Sequence, residues 1–384
     1  MFEDLDNFVP VVRIVVIGVG GAGNNAVNRM IDDEINSVEF YVLNTDRQAL
    51  ATSKAKNRLV LGESITQGLG AGGEPSVGKE AAEASIEDIR SIVKGANMVF
   101  IAAGMGGGTG TGAAPVVARI AREEGALTIA IVTRPFTFEG KKRIANSVEG
   151  LNELKEAVDS IIIVSNDKLL MVNGTAPISQ AFAESDRVLA QSVRTVTDLI
   201  LLPALINLDF ADVKKTLVNS GIALIGFGSG SGPNKVQEAA QSAISSPLLE
   251  ASINGARRAI CAVTCGTNVS LFEAQETVDR IIEAAGNNVD VIFGISINDQ
   301  LSDQILASII ASDFTEDFDF TAVPTFDKST LIKQHENSII DKLSKEDSSL
   351  ADSNENGEEN SSQENVNSEE DDFLPSFLKS KNII

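Results

Sequence analysis

Three glycine-rich stretches are the part of this sequence whose spacing could do chemistry. Gly18-Val19-Gly20-Gly21-Ala22-Gly23-Asn24-Asn25 follows an apolar run, opens a helical pattern and satisfies G-x-G-x-x-G. Glycine lets a backbone approach a ligand closely, and a helix N-terminus offers free N–H groups at the positive end of its dipole. Such a turn suits phosphate. Gly104-Met105-Gly106-Gly107-Gly108-Thr109-Gly110-Thr111-Gly112 adds two hydroxyls to a second cradle of the same kind. Gly68-Leu69-Gly70-Ala71-Gly72-Gly73 precedes a further helical pattern. Each loop is expected at a strand-to-helix junction. Together they would surround a polyphosphate more completely than a pyrophosphate requires. No G-x-x-x-x-G-K-[ST] occurs, so the chain is not a P-loop protein.

The first loop alone also fits a dinucleotide-dependent oxidoreductase, with Asp46 as the ribose-binding acid. That reading leaves 104–112 unexplained and finds no convincing hydride-transfer residues. In Asn207-Leu208-Asp209-Phe210-Ala211-Asp212-Val213 two carboxylates stand three apart at a helix start. From the residues alone they read as a cap and a favourable dipole interaction. Glu139 and Arg143 read as an i,i+4 ion pair, and Phe182 as part of the core. Cys261 and Cys265 lie ~13 Å apart if on one strand, too far for a disulfide or a shared metal. His335, the only histidine, falls in the acidic tail. Thiol and histidine mechanisms therefore drop out, and no protein metal site is expected.

The elements that must position these loops follow from the apolar pattern. Short apolar runs at 12–18, 38–44, 98–103, 126–133 and 160–165 alternate with helical patterns at 78–93, 113–123 and 140–157. That alternation predicts an α/β, doubly wound parallel sheet whose ligand lies at the carboxyl ends of the strands. Residues 177–201 form one long helical pattern, ~37 Å at 1.5 Å per residue, which can link one unit to the next. A second, smaller α/β unit has strand-like runs at 222–227, 259–264, 291–296 and 305–311, with helical patterns at 209–219, 233–244 and 270–285.

The chain has 384 residues and a net charge of −23, which disfavours nucleic-acid partners. It contains no apolar stretch long enough to span a membrane. Between Glu346 and Asp372 there are 11 acidic residues and no Lys or Arg. Such composition predicts a disordered linker. Phe373-Leu374-Pro375-Ser376-Phe377-Leu378-Lys379 then reads as an apolar docking peptide on a flexible tether.

With GGGTGTG at 106–112, GVGGAGNNAVNRM, NTD at 44–46, GLGAGGEPSVGK, VTRPFTFEGKKR and NLDFADV, the sequence resembles the FtsZ family of tubulin-like bacterial division GTPases. The match runs over 11–315 in the family's motif order and returns at the C-terminal peptide. The resemblance implies a GTP-binding domain over 1–176, a central helix over 177–202 and a GTPase-activating, synergy-loop domain over 203–318. A disordered acidic linker over 319–371 and a docking peptide over 372–384 would follow. It implies binding of GTP and GDP with Mg²⁺. Gly21, Ala22, Gly23, Asn24 and Asn25 would hold the α- and β-phosphates. Gly108, Thr109 and Gly110 would bind phosphate oxygens, while Ala71 and Gly72 would meet the γ-phosphate. Glu139 and Arg143 would contact ribose and phosphates. Asn166, Phe182 and Asp186 would read the guanine. Asn207, Asp209 and Asp212 would act catalytically in trans, inserted into the next subunit's nucleotide site.

The same resemblance implies a head-to-tail homopolymer forming a cytoplasmic division ring beneath the membrane at mid-cell. Membrane-tethering and regulatory division proteins would bind Phe373, Leu374, Pro375, Phe377 and Leu378, without membrane insertion by this chain itself. Two rivals of the same fold are a nucleotide-gated scaffold without turnover and a polymer for plasmid segregation. The division-type tail peptide counts against the second.

Overall fold

In the computed structural model, which describes residues 12–35, 38–173, 177–201, 204–246, 248–249, 252–286 and 289–314, the apolar runs become strands and the loops between them face one edge. The expected linker and docking peptide lie outside the described residues. The first unit runs β1 (Ile14–Val19), α1 (Gly20–Asp32), β2 (Glu39–Asn44), α2 (Arg47–Ala51), β3 (Asn57–Val60), α3 (Glu63–Thr66), α4 (Pro75–Glu83) and α5 (Ile86–Val93). It continues with β4 (Met98–Gly104), α6 (Thr109–Glu123), β5 (Leu127–Arg134), α7 (Lys141–Ala157), β6 (Ser160–Ser165) and α8 (Asn166–Asn173). Then come α9 (Ile178–Leu201), α10 (Phe210–Leu217), β7 (Gly221–Gly230), α11 (Lys235–Ile244), β8 (Ala256–Cys265), α12 (Leu271–Ala285), β9 (Asp290–Ile297) and β10 (Ile305–Phe314).

Strands β1 to β6 are parallel and ordered β3-β2-β1-β4-β5-β6. The order reverses between β1 and β4, which opens a crevice at their carboxyl ends. Alternation along β1 sets the layers. Val15, Ile17 and Val19 face the core shared with α4 to α7, while Ile14 and Val16 face the core shared with α1 and α9. Burial on both faces is why these strands read as continuous apolar runs.

The second unit continues the same sheet. β7 pairs in parallel with β6 from Ser160↔Gly221 to Ile162↔Ala223, giving ten strands in the order β3-β2-β1-β4-β5-β6-β7-β10-β8-β9. β10 is antiparallel to both β7 and β8, and β9 runs parallel to β8 at the edge. From α9, Val188, Leu189, Val193 and Val196 join a cluster that also holds Ile225, Phe227 and Ile260, so one core passes along α9 from the first unit into the second. Cys261 and Cys265 are buried on β8, and burial pushes their thiols up to about 12 and about 11. They act as small core residues, as their spacing predicts.

Several expectations need correction. The helix expected at 78–93 is two helices, α4 and α5, separated at Ala84 and Ser85. Ser85 turns its hydroxyl to accept from Gly62 N at 2.9 Å, a side-chain alternative to continuing the helix. The loop at 68–73 joins α3 to α4 rather than a strand to a helix. Helix α6 starts at Thr109, so half of the second glycine stretch is helical.

Gly112 lies inside α6 because α4 crosses there with no room for a side chain: an added Cβ would stand 1.9 Å from the Pro75 carbonyl oxygen. Gly112→Ala should therefore destabilise the fold by about 1–3 kcal/mol through forced separation of α4 and α6. Urea denaturation measures this, and a midpoint equal to wild type would refute the packing argument.

Candidate functional site

Helix N-termini in this structure, apart from that of α9, which also lacks a first-turn acid, divide into two kinds. Helices α3, α5, α8, α10, α11 and α12 each carry an acid in the first turn, and α2 is capped by the Asp46 carboxylate. By contrast α1, α4, α6 and α7 start with neither a capping side chain nor an acid. These four open around the segment Gly104–Gly108. An added Cβ on Gly104 would meet Ala22 of α1 at 2.6 Å, one on Gly106 the Arg143 carbonyl of α7 at 2.7 Å, and one on Gly108 the Glu74 amide before α4 at 2.9 Å. Gly20, at φ +72, would bring a Cβ to 2.8 Å from Gly110 N of α6. Convergent positive dipole ends and unsatisfied N–H groups make an anion cradle, and the two carboxylates beside it, Glu74 and Glu139, are paired with Lys142 and Arg143.

The predicted phosphate residues are brought together here. Gly21 and Asn25 are exposed at the mouth, and a Cβ on Gly21 would meet nothing within 4 Å. Ala22 and Gly23 form the wall against β4. The side chain of Asn24 is buried. With the amide turned to donate, it serves Gly18 O and Gly20 O at 3.0 Å and accepts from Asn44 Nδ2 at 3.2 Å, shaping the turn from within. Of the two signature hydroxyls only Thr109 faces the cradle edge. Thr111 is buried and its Oγ1 accepts from Gly106 N at 2.8 Å. Gly108 and Gly110 are buried at the start of α6, with Ala71 against Gly108 and Gly72 open beside it.

A second cluster borders the cradle. Phe182 of α9, far from being core, is 41% exposed and stands edge-on to Phe136 with ring centroids 5.0 Å apart. Phe136 stacks in turn on Phe138 at 4.9 Å. Glu139 accepts from Phe136 N at 2.9 Å and pairs with Arg143, so the expected ion pair is present. Asn166 is buried and accepts from Ser185 Oγ at 2.8 Å. Asp186, one turn beyond Phe182, has its carboxyl pushed up to about 7 by burial, with Arg29 opposing. Sequence reasoning missed Asp167, which accepts from Thr137 N at 2.9 Å and Oγ1 at 2.5 Å and so holds the Phe136–Glu139 turn. Its only signal was an acid directly after Asn166.

Asn207, Asp209 and Asp212 are not in this cradle. They follow the far end of α9, whose 24 residues span ~36 Å. Asp209 caps α10 by accepting from Asp212 N at 2.8 Å, as the residues alone indicated, while Asn207 is exposed and Asp212 half-buried. Asp46, the ribose acid of the oxidoreductase reading, caps a helix. Its carboxylate accepts from Gln48 N and Ala49 N at the start of α2. Among the described residues no group of three or more acids, histidines or cysteines could hold a metal, and no helix is long and apolar enough to cross a membrane. A separate cleft of about 460 Å³ between α9 and the C-terminal sheet, lined in part by Arg194, Asp198 and Thr264, is distinct from the cradle.

Residues 13–174 match the Tubulin/FtsZ family GTPase domain, and residues 221–315 match the FtsZ family C-terminal domain. Among solved structures, an empty FtsZ dimer of M. jannaschii is 40% identical over 78% of this chain and 88% of that one, with a TM-score of 0.75. A point variant of the M. jannaschii FtsZ is also 40% identical, covering 79% of this chain and 91% of that one at a TM-score of 0.76. CetZ2 from Haloferax volcanii, described as a GTPγS-bound protofilament, shares the fold at 18% identity and a TM-score of 0.67, over 87% of this chain and 100% of that one.

The buried Asp186 carboxyl has a measurable consequence in the ligand-free protein. Its folded-state value of about 7 lies above the ordinary 3.8, so the folded state binds the extra proton between those values. The stabilisation by the neutral form is lost progressively as pH rises above the ordinary 3.8 and is gone above about 7. Asp186→Asn should therefore melt a few degrees above wild type at pH 8, with the gap narrowing steadily below pH 7 and closing near pH 4. A melting difference independent of pH would contradict the assignment.

Proposed function

The chain belongs to the FtsZ branch of the tubulin/FtsZ family, a tubulin-like GTPase and protofilament-forming cell-division protein, and from that premise we propose how its two ends cooperate. The α- and β-phosphates of GTP lie against the N-terminus of α1, at Gly21 to Asn25. The signature residues Gly108, Thr109 and Gly110 take further phosphate oxygens, and Ala71 and Gly72 meet the γ-phosphate. Glu139 and Arg143 flank the ribose. Phe182 stacks on the guanine, whose N1–H and N2–H donate to an ionised Asp186, while Asn166 adds a base contact. Mg²⁺ fits as an ion carried by phosphate oxygens and water, because the described residues offer no carboxylate cage. When bound it neutralises part of the phosphate charge.

Hydrolysis is completed in trans. The exposed Asn207 and the carboxylates of Asp209 and Asp212 orient and polarise the attacking water in the next subunit's site. Capping and catalysis are compatible for Asp209, since one carboxylate accepts several hydrogen bonds. The observation that carries this reading is where the exposed large apolar residues lie. Ile65, Leu69, Phe138 and Phe182 surround the nucleotide loops. Leu205, Ile206, Ile297, Leu271 and Phe272 gather at the other end. There Ile206 bridges Ile295, Ile297 pairs with Cys265 at the end of β8, and α12 starts shortly after. Two different apolar ends favour a heterologous, open, head-to-tail polymer. In the cell this polymer forms the division ring at mid-cell on the inner face of the cytoplasmic membrane. Tethering and regulatory proteins dock on Phe373, Leu374, Pro375, Phe377 and Leu378.

Phosphate release from GTP per subunit should be near zero at low protein concentration and rise above a threshold together with light scattering. A rate independent of concentration would mean a whole active site in each monomer and would end the in-trans reading. Asp212→Ala should retain GTP binding and lose turnover by roughly a hundredfold or more. Phe272, 85% exposed, makes no contribution to a core. Phe272→Asp should leave GTP affinity intact and raise the assembly threshold by roughly tenfold, read by sedimentation; an unchanged threshold would remove α12 from the contact.

A further inference from the structure

Thr45 is the buried point where two of the phosphate loops meet. It lies between β2 and α2 with 0% of its surface exposed. Its Oγ1 is 2.7 Å from Thr109 Oγ1 at the start of α6. Its carbonyl oxygen accepts from Gly70 N at 3.0 Å and from Thr66 Oγ1 at 3.3 Å. The next two residues extend the junction: Asp46 bridges Leu69, and Arg47 N donates to Gly68 O at 3.0 Å. One short segment thus fastens the 68–73 loop and touches the signature loop through a hydroxyl.

The direction of that hydroxyl bond follows from counting protons. The pair has two protons, and one lies between the oxygens. If Thr109 donated, the Thr45 proton would be buried with no acceptor, because Thr45 Oγ1 has no other partner among the described residues. An unmet buried donor is disfavoured. Thr45 therefore donates. That arrangement fixes the Thr109 rotamer and leaves the Thr109 proton at the open side of the cradle, where Thr109 is partly exposed.

We propose that Thr45 is a positioning residue for GTP turnover: its donated proton aims the Thr109 hydroxyl at a phosphate oxygen, and its carbonyl holds the 68–73 loop at the same point. The inference rests on the reading that Thr109 meets phosphate. Because Thr45 acts through Thr109, its contribution disappears once the Thr109 hydroxyl is gone. It also ties γ-phosphate sensing to Leu69, 81% exposed on the loop that Thr45 anchors.

The test uses the full chain with wild type, Thr45→Val, Thr45→Ser, Thr109→Val and the double variant. GTP and GDP affinities are measured below the assembly threshold, kcat and KM above it, and melting temperatures throughout. Thr45→Val should weaken GTP binding roughly tenfold at an unchanged melting temperature, and Thr45→Ser should restore it. The double variant should bind no more weakly than Thr109→Val alone. Wild-type affinity in Thr45→Val, or losses that multiply in the double variant, would overturn the proposal. If valine lowers the melting temperature, Thr45→Ala removes the donor without crowding and is read the same way. Failure of the wild type to bind GTP would instead bring down the nucleotide reading itself.

Discussion

Four helix N-termini that open on one segment with neither a capping side chain nor a first-turn acid are the constraint on which the rest of this structure depends. Helices α1, α4, α6 and α7 bring unsatisfied N–H groups and like-signed dipole ends together, while the flanking carboxylates Glu74 and Glu139 are taken up by Lys142 and Arg143 of α7. Left alone, that assembly is electrostatically poor. Elsewhere the protein answers helix starts with its own acids, as Asp209 does for α10 and the Ser270–Glu273 capping box for α12. At the cradle the answer has to come from outside, and a polyphosphate is an anion of suitable shape. Close packing makes the convergence possible: Gly20 against Gly110, and Gly108 against Glu74, leave no room for a side chain between the backbones.

The second constraint is length. Helix α9 begins beside the Phe136–Phe182 cluster and ends before Asn207, so the glycine-loop cradle and the acidic loop are held apart by a packed rod of 24 residues. Val188, Leu189, Val193 and Val196 are buried along it, so it cannot fold back to bring the two together. Under the proposed in-trans reading, such a chain binds nucleotide alone and takes its carboxylates from another copy, which would make turnover a property of the contact between subunits.

Much of this was legible in the sequence, and the parts that were not share a cause. Strands buried on both faces write continuous apolar runs, so β1, β2, β4, β5 and β6 could be read directly. The glycine loops were legible because close approach at Gly18, Gly20, Gly23, Gly104, Gly108, Gly110 and Gly112 leaves no space for a side chain. What escaped was decided by partners distant in the chain. Ser85 ends α4 by turning to Gly62, Asn24 faces inward to Gly18 and Asn44, and Thr45 meets Thr109 across 64 positions. None of these side chains differs in type from an ordinary surface or loop residue. Asp209 is the converse case: its cap was readable from local spacing, but any role toward a second subunit was not, because local spacing contains no information about a neighbouring copy.

Charge decides which forces can bring such copies together. At −23 overall, two chains repel, yet at physiological ionic strength the interaction is screened beyond ~8 Å. Residues 319–384 carry 15 acids against 6 bases, a net of −9, and the remaining −14 lies on residues 1–318. The ends themselves present Leu69, Phe138 and Phe182 on one side and Leu205, Leu271 and Phe272 on the other. Contact free energy must then come from short-range apolar burial, which is insensitive to sign, while the acids keep unassembled chains soluble. Association that is weak per contact and repeated along a filament is reversible, and reversibility is what a polymer needs if hydrolysis at its contacts is to release them.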